Sequence, residues 1–443
     1  MFNGQLPNLT KNTAIIVGVK GVVDNLDIKI KAHVKKKYTF HTKEYLAIGN
    51  LDGLVENCTL QNYITSINTR AHKSCGGIYN QNGTVQNCDI NGFIANKGGG
   101  IDNLNGTVQN CTIQNCKTTP TLGNKGGGIY NINGTVQNCT IQNCKTIPAL
   151  DSEGGGIFNL NGTIQNCTIQ NCYAHKGGGI LSIGGKIIYK GASTYSIKDC
   201  YSFFLKTRHT YDNGMGGGIG LTDGATLEME NSAILNIKDN TSTIGGGIYN
   251  IHSTIKASSN FTGSLNIYSN LSYKAGSGVY NNGIFTNESN EGSFTVSGND
   301  IDRSGYYMLR VGTTENYHTQ QLGGAIFNSG ILCGVVVTGN KGTISNTDFN
   351  AITGFTGGVY NCGEMSHCFL GYSPKTFNHV VFNGITFQNA MYYLGGKVSY
   401  CLFDANEPVG YNPNLYAAVS IVFGNGYNSG YNISHSYPYL HGA

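Results

Sequence analysis

The residues that this sequence offers for catalysis are few and scattered. The best local candidate is Asp300-Ile301-Asp302-Arg303, in which strand alternation would put Asp300 and Asp302 on one side, with Arg303 as a basic neighbour. A glycosidase needs two carboxylates that converge on one groove. A lyase needs several aspartates for Ca²⁺ and a basic residue that takes the proton. Because this stretch opens an insertion, we favour a solvated loop over a catalytic site.

The other candidate groups are single side chains. His367 and His379 have the chemistry of catalytic bases, and Tyr392 and Tyr393 that of sugar-stacking rings. A surface histidine and a tyrosine packed within the fold are the more ordinary interpretations. No Cys-x-x-Cys occurs, and the spacing Cys-Thr-Ile-Gln-Asn-Cys does not suit zinc. The sequence therefore predicts no metal, no cofactor and no confident catalytic residue.

Any such groups would be positioned by a 28-residue repeat that is written three times within residues 98–180. In each copy Gly-Gly-Gly-Ile precedes Asn-Gly-Thr-(Val/Ile)-Gln-Asn-Cys-Thr-Ile-Gln-Asn-Cys. Short β-branched runs between Gly-Gly and Asn-Gly turns are typical of strands, and apolar residues show no helical spacing. Three runs in each period predict one coil of a parallel β-helix, hydrogen-bonded to the next coil at a rise of about 4.8 Å.

Equivalent residues of successive coils should stack in columns. We expect the cysteines to form buried ladders of reduced thiols, because parallel Cβ directions disfavour disulfides. We expect the asparagine at the first bend to form a ladder of side-chain amides. The predicted columns are Cys111, Cys139 and Cys167; Cys116, Cys144 and Cys172; and Asn110, Asn138 and Asn166.

On both sides of the repeats the coils continue with less regular sequences. Residues 1–15 are predicted to cap the solenoid, residues 16–407 to form its coils, and the Tyr- and Gly-rich residues 408–443 to form a C-terminal cap or tail. After residue 185 insertions separate the coils, and a second phrase recurs. That phrase ends at Asn240, Asn270, Asn299 and Asn340. The fold class is all-β, a single-stranded parallel β-helix (solenoid) of about 13 coils.

Composition excludes several classes of protein. Charged residues make up 12% of the chain and the formal net charge is +4, so no clustered basic face points to nucleic acid. No run of apolar residues is long enough for a transmembrane helix. No signal peptide is visible, which leaves a missing leader, another export route or a virion protein as alternatives. We expect an extracellular or cell-surface location; the oligomeric state is open, with a trimer possible for a viral protein.

Two short motifs resemble a known family. Gly323-Gly324-Ala325-Ile326 and Phe403-Asp404-Ala405-Asn406 have the form Gly-Gly-Ala-Ile/Leu/Val and Phe-x-x-Asn, which marks chlamydial polymorphic outer-membrane protein repeats. More broadly, residues 16–406 resemble the pectin-lyase-like superfamily. The resemblance implies a right-handed parallel β-helix and a cell-surface, adhesin-like passenger.

The regular coils suggest how the protein acts. They are nearly free of carboxylates, and their outer positions are Gln, Asn and Thr, a polar, uncharged face suited to hydrogen bonding with a glycan or a protein surface. We therefore favour a non-enzymatic, surface-exposed β-helix, adhesin-like or structural. The alternative is a polysaccharide-degrading enzyme, a lyase, hydrolase or phage tailspike-like depolymerase, because the same scaffold hosts such enzymes. Whether the protein is an enzyme is left open, with the balance against it.

Overall fold

The computed structural model confirms the all-β parallel β-helix. No helix occurs in the part of the chain that it describes, and almost every strand pairs in parallel with the equivalent strand of a neighbouring coil. Two antiparallel pairs, Leu205–Lys206 with Tyr211–Asp212 and His379–Phe382 with Ile385–Gln388, are the exceptions among the described strands. The described residues are 13–17, 21–30, 46–62, 76–119, 123–147, 152–202, 205–206, 211–302, 324–344, 356–371, 378–382, 385–388, 391–393, 397–405, 421–423, 433–434 and 437–440.

The first of two compact units comprises residues 1–188 and 200–212. Its coils have three faces, and the first face carries two short strands per coil. First-face strands are Thr13–Val17, Val22–Asp24, Leu46–Leu51, Leu54–Glu56, Ile78–Gln81, Thr84–Gln86, Ile101–Leu104, Thr107–Gln109, Ile129–Ile132, Thr135–Gln137, Ile157–Leu160, Thr163–Gln165, Ile180–Ile183 and Lys186–Tyr189, whose last residue belongs to the second unit. Second-face strands are Asp27–Ile30, Thr59–Asn62, Asp89–Asn91, Thr112–Gln114, Thr140–Gln142 and Thr168–Gln170. Third-face strands are Ile94–Ala95, Lys117–Thr118, Tyr173–Ala174 and Tyr201–Ser202.

The second unit comprises residues 189–199 and 213–443 and has the same three kinds of face. First-face strands are Ile219–Thr222, Thr226–Met229, Ile248–Ala257, Val279–Thr286, Ile326–Asn328, Ile331–Cys333, Val359–Asn361, Glu364–Ser366, Met391–Tyr393, Lys397–Ser399, Ile421–Phe423 and Ile433–Ser434. Second-face strands are Thr194–Lys198, Ile234–Lys238, Ser264–Tyr268, Ser293–Ser297, Val335–Thr338, Phe369–Leu370, Leu402–Ala405 and Tyr437–Leu440. Third-face strands are Thr241–Ile244, Leu271–Ala275, Asp300–Asp302, Lys341–Ile344, His379–Phe382 and Ile385–Gln388.

The 28-residue period sets the register of the first unit. Thr112 pairs with Thr140, and Thr140 pairs with Thr168, so identical residues lie above one another. Alternation along each strand turns one set of side chains inward, where Ile113 and its equivalents are fully buried. The number of coils and the cap boundaries stay predictions, although the predicted C-terminal cap contains strands that continue the parallel pairing, such as Leu402 with Tyr437.

The predicted asparagine column lies at a surface bend. Asn110 and Asn138 are exposed, Asn166 is half-exposed, and their φ angles are 54°, 52° and 53°. Asparagine is among the few residues that tolerate this left-handed region. These residues therefore allow the bend between the first and second faces.

The buried amide ladder of the first unit lies in a different column, which corrects the predicted position. It consists of the asparagine two residues after each inward Ile, which alternation turns inward with that Ile. The first four Nδ2 groups each donate to the Oδ1 of the next coil at 2.7 Å, and the last, of Asn159, donates to the Ser182 hydroxyl at 3.0 Å. Each also donates to a turn carbonyl, as Asn103 does to Gly106 at 2.9 Å. The ladder consists of Asn50, Asn80, Asn103, Asn131 and Asn159.

Two further amide ladders run through the second unit. In both, the Nδ2 of each rung donates to the Oδ1 of the next at 2.7–3.0 Å, so these buried amides pair along the ladder. One ladder contains the asparagines that end the recurring sequence motif; its rungs are Asn240, Asn270, Asn299, Asn340 and Asn378. The rungs of the other ladder are Asn250, Asn281, Asn328 and Asn361.

The predicted cysteine columns are buried, as expected. All six predicted cysteines are free thiols with at most 2% of their surface exposed. In the first column each Sγ donates to the carbonyl two residues earlier, for example Cys111 to Gln109 at 3.1 Å. Burial raises the pKa of the Cys139 and Cys172 thiols well above the ordinary value, so neither is a thiolate at neutral pH.

We expect these column thiols to resist modification in the native protein. Their reaction with Ellman's reagent at pH 8 should be at least about a hundredfold slower than in guanidinium chloride, because the attacking species is an accessible thiolate. The half-exposed Cys333 and Cys362 should react before the column thiols, and replacing both by serine should reduce that early phase. Equal rates for all thiols in the folded protein would contradict a buried column.

Candidate functional surfaces

The predicted carboxylate pair lies on a strand, which corrects the expectation of a solvated loop. Ile301 points inward and is 1% exposed, so Asp300 and Asp302 share the outer side of strand Asp300–Asp302. The strand forms because this Asp-Ile-Asp alternation continues a column of the third face: Asp300 pairs with Leu271 on one side and with Lys341 on the other. Arg303 lies outside the described residues.

The surroundings of Asp300 act on its pKa in opposite directions. Lys341 Nζ lies 3.5 Å from its Oδ2, and the Thr343 hydroxyl donates to its Oδ1 at 3.2 Å. Burial nevertheless raises the pKa of Asp300 above the ordinary value, with a smaller contribution from Asp302. Burial and Asp302 also raise the pKa of Tyr273. We call these five residues the carboxylate patch; no group of three potential metal ligands occurs among the residues that the structure describes.

The candidate histidines lie in separate places. His367 occupies a bend with a φ of 52°, and its ring stacks on Tyr400 at 5.1 Å between centroids. His379 begins a third-face strand and pairs through its backbone with Lys341, one coil from the carboxylate patch. The fold thus brings His379, and not His367, next to Lys341.

Tyr392 and Tyr393 lie in strand Met391–Tyr393, and their side chains fall outside what the structure describes. Tyr392 is in register with Tyr360, the last ring of an outer column of stacked aromatics. The successive centroids of that column are 5.2, 4.5 and 5.5 Å apart. Because Phe327 and Tyr360 are almost fully buried, these two rings pack the second unit, whereas Tyr249 and Tyr280 are half-buried. Its rings are Tyr249, Tyr280, Phe327 and Tyr360.

The outer positions of the regular coils form a polar, uncharged surface. On the first face Gln137 Nε2 donates to Gln109 Oε1 at 2.6 Å, and Gln109 donates likewise to Gln86. On the second face Gln170 donates to Gln142 at 3.0 Å, and Gln142 to Gln114 at 2.8 Å. These bonds hold the amides in fixed orientations. We call the following residues the Thr/Gln surface: Thr84, Gln86, Thr107, Gln109, Thr135 and Gln137, and Thr112, Gln114, Thr140, Gln142, Thr168 and Gln170.

A feature missed by sequence reasoning is the outer column that contains Asp102. Asp102 pairs with Tyr79 on one side and Tyr130 on the other, at a position that aromatic residues occupy in those coils. Burial raises the pKa of Asp102 to about 7, although the nearby Lys97 lowers it. The Lys97 ammonium lies 5.1 Å from the centre of the Tyr130 ring. The sequence signal for this column is the residue after each inward Ile, which is Tyr, Asp, Tyr and Phe in successive copies.

Neighbouring charges beside this column are paired. Lys125 Nζ lies 2.6 Å from Glu153 Oε2 and 4.4 Å from the centre of the Phe158 ring. Tyr130, Phe158 and Leu181 form a buried apolar cluster on the outer side of the first face. Because these three side chains are buried, the cluster contributes to stability.

Comparison with known proteins assigns no family to the chain. No protein-family model matches it, and neither a curated protein nor a solved structure matches it. The resemblance to the pectin-lyase-like superfamily and to chlamydial repeats therefore stays a prediction. Among the described residues, no helix has the length and apolar character needed to span a bilayer.

Proposed function

We propose that this protein is a non-enzymatic, adhesin-like surface β-helix whose Thr/Gln surface binds a glycan. The observation that carries the proposal is the pair of glutamine ladders, each of which presents oriented amides over three coils, with a threonine hydroxyl two positions before each glutamine. Such groups supply both donors and acceptors, and fixing them beforehand lowers the entropic cost of binding. An extended polysaccharide advances by nearly one coil rise per sugar, so successive sugars would meet equivalent rungs.

We also propose a winding direction, a family relation and a location for the protein. They are right-handed winding of the pectin-lyase-like kind, a relation to chlamydial outer-membrane repeats, and a location outside the cell, at its surface or on a virion. A protein surface rich in hydroxyl and amide groups is the alternative partner. The neutrality of the Thr/Gln surface favours either of these partners over nucleic acid.

The experiment is a glycan array probed with the intact chain, followed by affinity measurement for the glycans that are retained. Two triple alanine variants are compared, one at Gln86, Gln109 and Gln137 and one at Gln114, Gln142 and Gln170. We expect the variant on the face that binds the glycan to lose about tenfold in affinity, and the other to lose little. Each triple variant is the matched control for the other, because both remove three outer amides from one ladder. Unchanged binding by both folded variants would refute the Thr/Gln surface as the site.

A second candidate function is polysaccharide hydrolysis at the carboxylate patch. It is favoured by the raised pKa of Asp300, since one carboxyl of a glycosidase pair must remain protonated. The retained glycans should therefore be scored for the new reducing ends that hydrolysis produces. Cleavage that is lost in both Asp300→Asn and Asp302→Asn would assign the protein to this class, and retention without cleavage supports the non-enzymatic proposal.

A further inference from the structure

A column of two lysines and two tyrosines lies on the third face of the first unit. Lys117 bridges to Lys145 and Lys145 to Tyr173, and Tyr173 pairs with Tyr201. We call these four residues the Lys/Tyr strip. They point outward, because the residues on either side of each in the chain are buried: Cys116, Thr118, Cys144, Thr146, Cys172, Ala174, Cys200 and Ser202.

The strip is accessible to a ligand. Tyr173 is 42% exposed, Lys145 is exposed, and Lys117 and Tyr201 are half-exposed. The Tyr173 and Tyr201 rings have centroids 5.2 Å apart and planes tilted by 49°, so the two rings do not cover each other completely. Unlike Phe327 and Tyr360 in the second unit, these rings offer a surface for stacking.

The four residues of the strip include two lysines and no carboxylate. Like charges directly opposite each other on neighbouring strands are destabilising, and Lys117 and Lys145 are separated by one coil, about 4.8 Å along the stack. Lys97 and Lys125 are also one coil apart, but they lie over Tyr130 and Phe158, and Lys125 pairs with Glu153. The two lysine pairs therefore have different surroundings.

The flanking residues reinforce this charge pattern. The exposed column beside the strip carries amides, which donate to one another between coils: Asn115, Asn143 and Asn171. The carboxylate nearest to the strip in sequence, Asp199, lies two residues before Tyr201, with an oxygen 4.0 Å from Lys198 Nζ. Beyond the amide column lies the second-face part of the Thr/Gln surface.

We infer that the Lys/Tyr strip binds an anionic polysaccharide, with its acidic groups at Lys117 and Lys145 and a sugar ring against Tyr173 and Tyr201. An ammonium group attracts carboxylate or sulfate, and an aromatic face packs against the C–H face of a sugar. The inference rests on the proposed function and deepens it, since it gives the charge of the glycan and a place next to the Thr/Gln surface.

The test measures affinity of the full chain for heparin, alginate and dextran, which are sulfated, carboxylated and neutral polymers. We expect at least one acidic polymer to bind about tenfold more tightly than dextran, with affinity that falls as salt rises. Lys117→Gln with Lys145→Gln should remove most of that preference and its salt dependence. Tyr173→Ala should weaken binding without changing the salt dependence.

The matched control is Lys97→Gln with Lys186→Gln, which removes the same charge from exposed lysines of the same unit. This control should bind acidic polymers within about twofold of the unchanged protein. Equal losses in the two double variants, or none in the strip variant, would overturn the inference. If dextran binds through the Thr/Gln surface regardless of the strip, only the inference fails; if no glycan binds at all, the proposed function fails as well.

Discussion

Replacing Asn131 by alanine is expected to lower the free energy of unfolding of the first unit by about 3 kcal/mol. Asn131 is fully buried in the middle of an amide ladder. Its Nδ2 donates to Asn159 at 2.7 Å and to the Gly134 carbonyl at 3.0 Å, and its Oδ1 accepts from Asn103 at 2.7 Å. Alanine would leave the partners of these bonds buried and unsatisfied and would add a small cavity. Urea unfolding followed by circular dichroism measures the change.

The matched control is Asn138→Gly, seven residues further along the same coil. Asn138 is exposed at a bend with a φ of 52°, a conformation that glycine adopts without strain. This variant should remain within about 0.5 kcal/mol of the unchanged protein. Similar effects of the two substitutions would show that the buried ladder makes no special contribution.

Asp102→Asn is expected to stabilise the protein at alkaline pH by about 2–3 kcal/mol. The carboxyl has an ordinary pKa of 3.8, and burial raises it to about 7 in the fold. The folded state therefore holds this proton more tightly than the unfolded chain. Stability from this group is complete below pH 4, declines as pH rises from about 4, and is lost once pH has passed through about 7. The expected stabilisation is smaller than the full pKa shift would give, because Asp102 is only half-buried and Lys97 lies nearby.

Unfolding free energies measured between pH 4 and pH 8 check this expectation. The difference between Asp102→Asn and the unchanged protein should grow in favour of the variant across that range. Asp89→Asn, which neutralises an exposed carboxylate on the second face, is the control and should show little growth. A difference between Asp102→Asn and the unchanged protein that is independent of pH would mean that Asp102 is not desolvated.

The regular coils were predictable because their information is local and repeated. Gly-Gly, Asn-Gly and the β-branched runs define turns and strands, and the period places Cys111 above its equivalents whatever the rest of the chain does. The position of the amide ladder was not predicted, because both Asn103 and Asn110 recur every coil. Only strand alternation separates them: Asn103 shares the parity of the inward Ile101, whereas Asn110 is needed to turn the bend.

The functional surfaces were less predictable than the fold. Asp300 and Asp302 have the alternation of a strand, but their position before a long insertion favoured a loop; pairing with Leu271 and Lys341 decided for the strand. The burial of Asp102 depends on the outer aromatic residues of neighbouring coils, which no single copy of the repeat reveals. The Lys/Tyr strip likewise arises only when four different coils are superimposed.

The constant 28-residue offset between the regular coils of the first unit has a genetic consequence. The Nδ2 of Asn103 meets the Oδ1 of Asn131, which follows it by 28 residues, and every other column of these coils repeats with the same offset. Removing residues 126–153 would join Lys125 to Gly154, a junction equivalent to Lys125-Gly126. In each column, the residue before the deleted coil would then pair with the equivalent residue after it. Unequal recombination between such copies can therefore lengthen or shorten the array by whole coils. Selection can adjust the reach of the molecule in steps of about 4.8 Å without redesigning its interior.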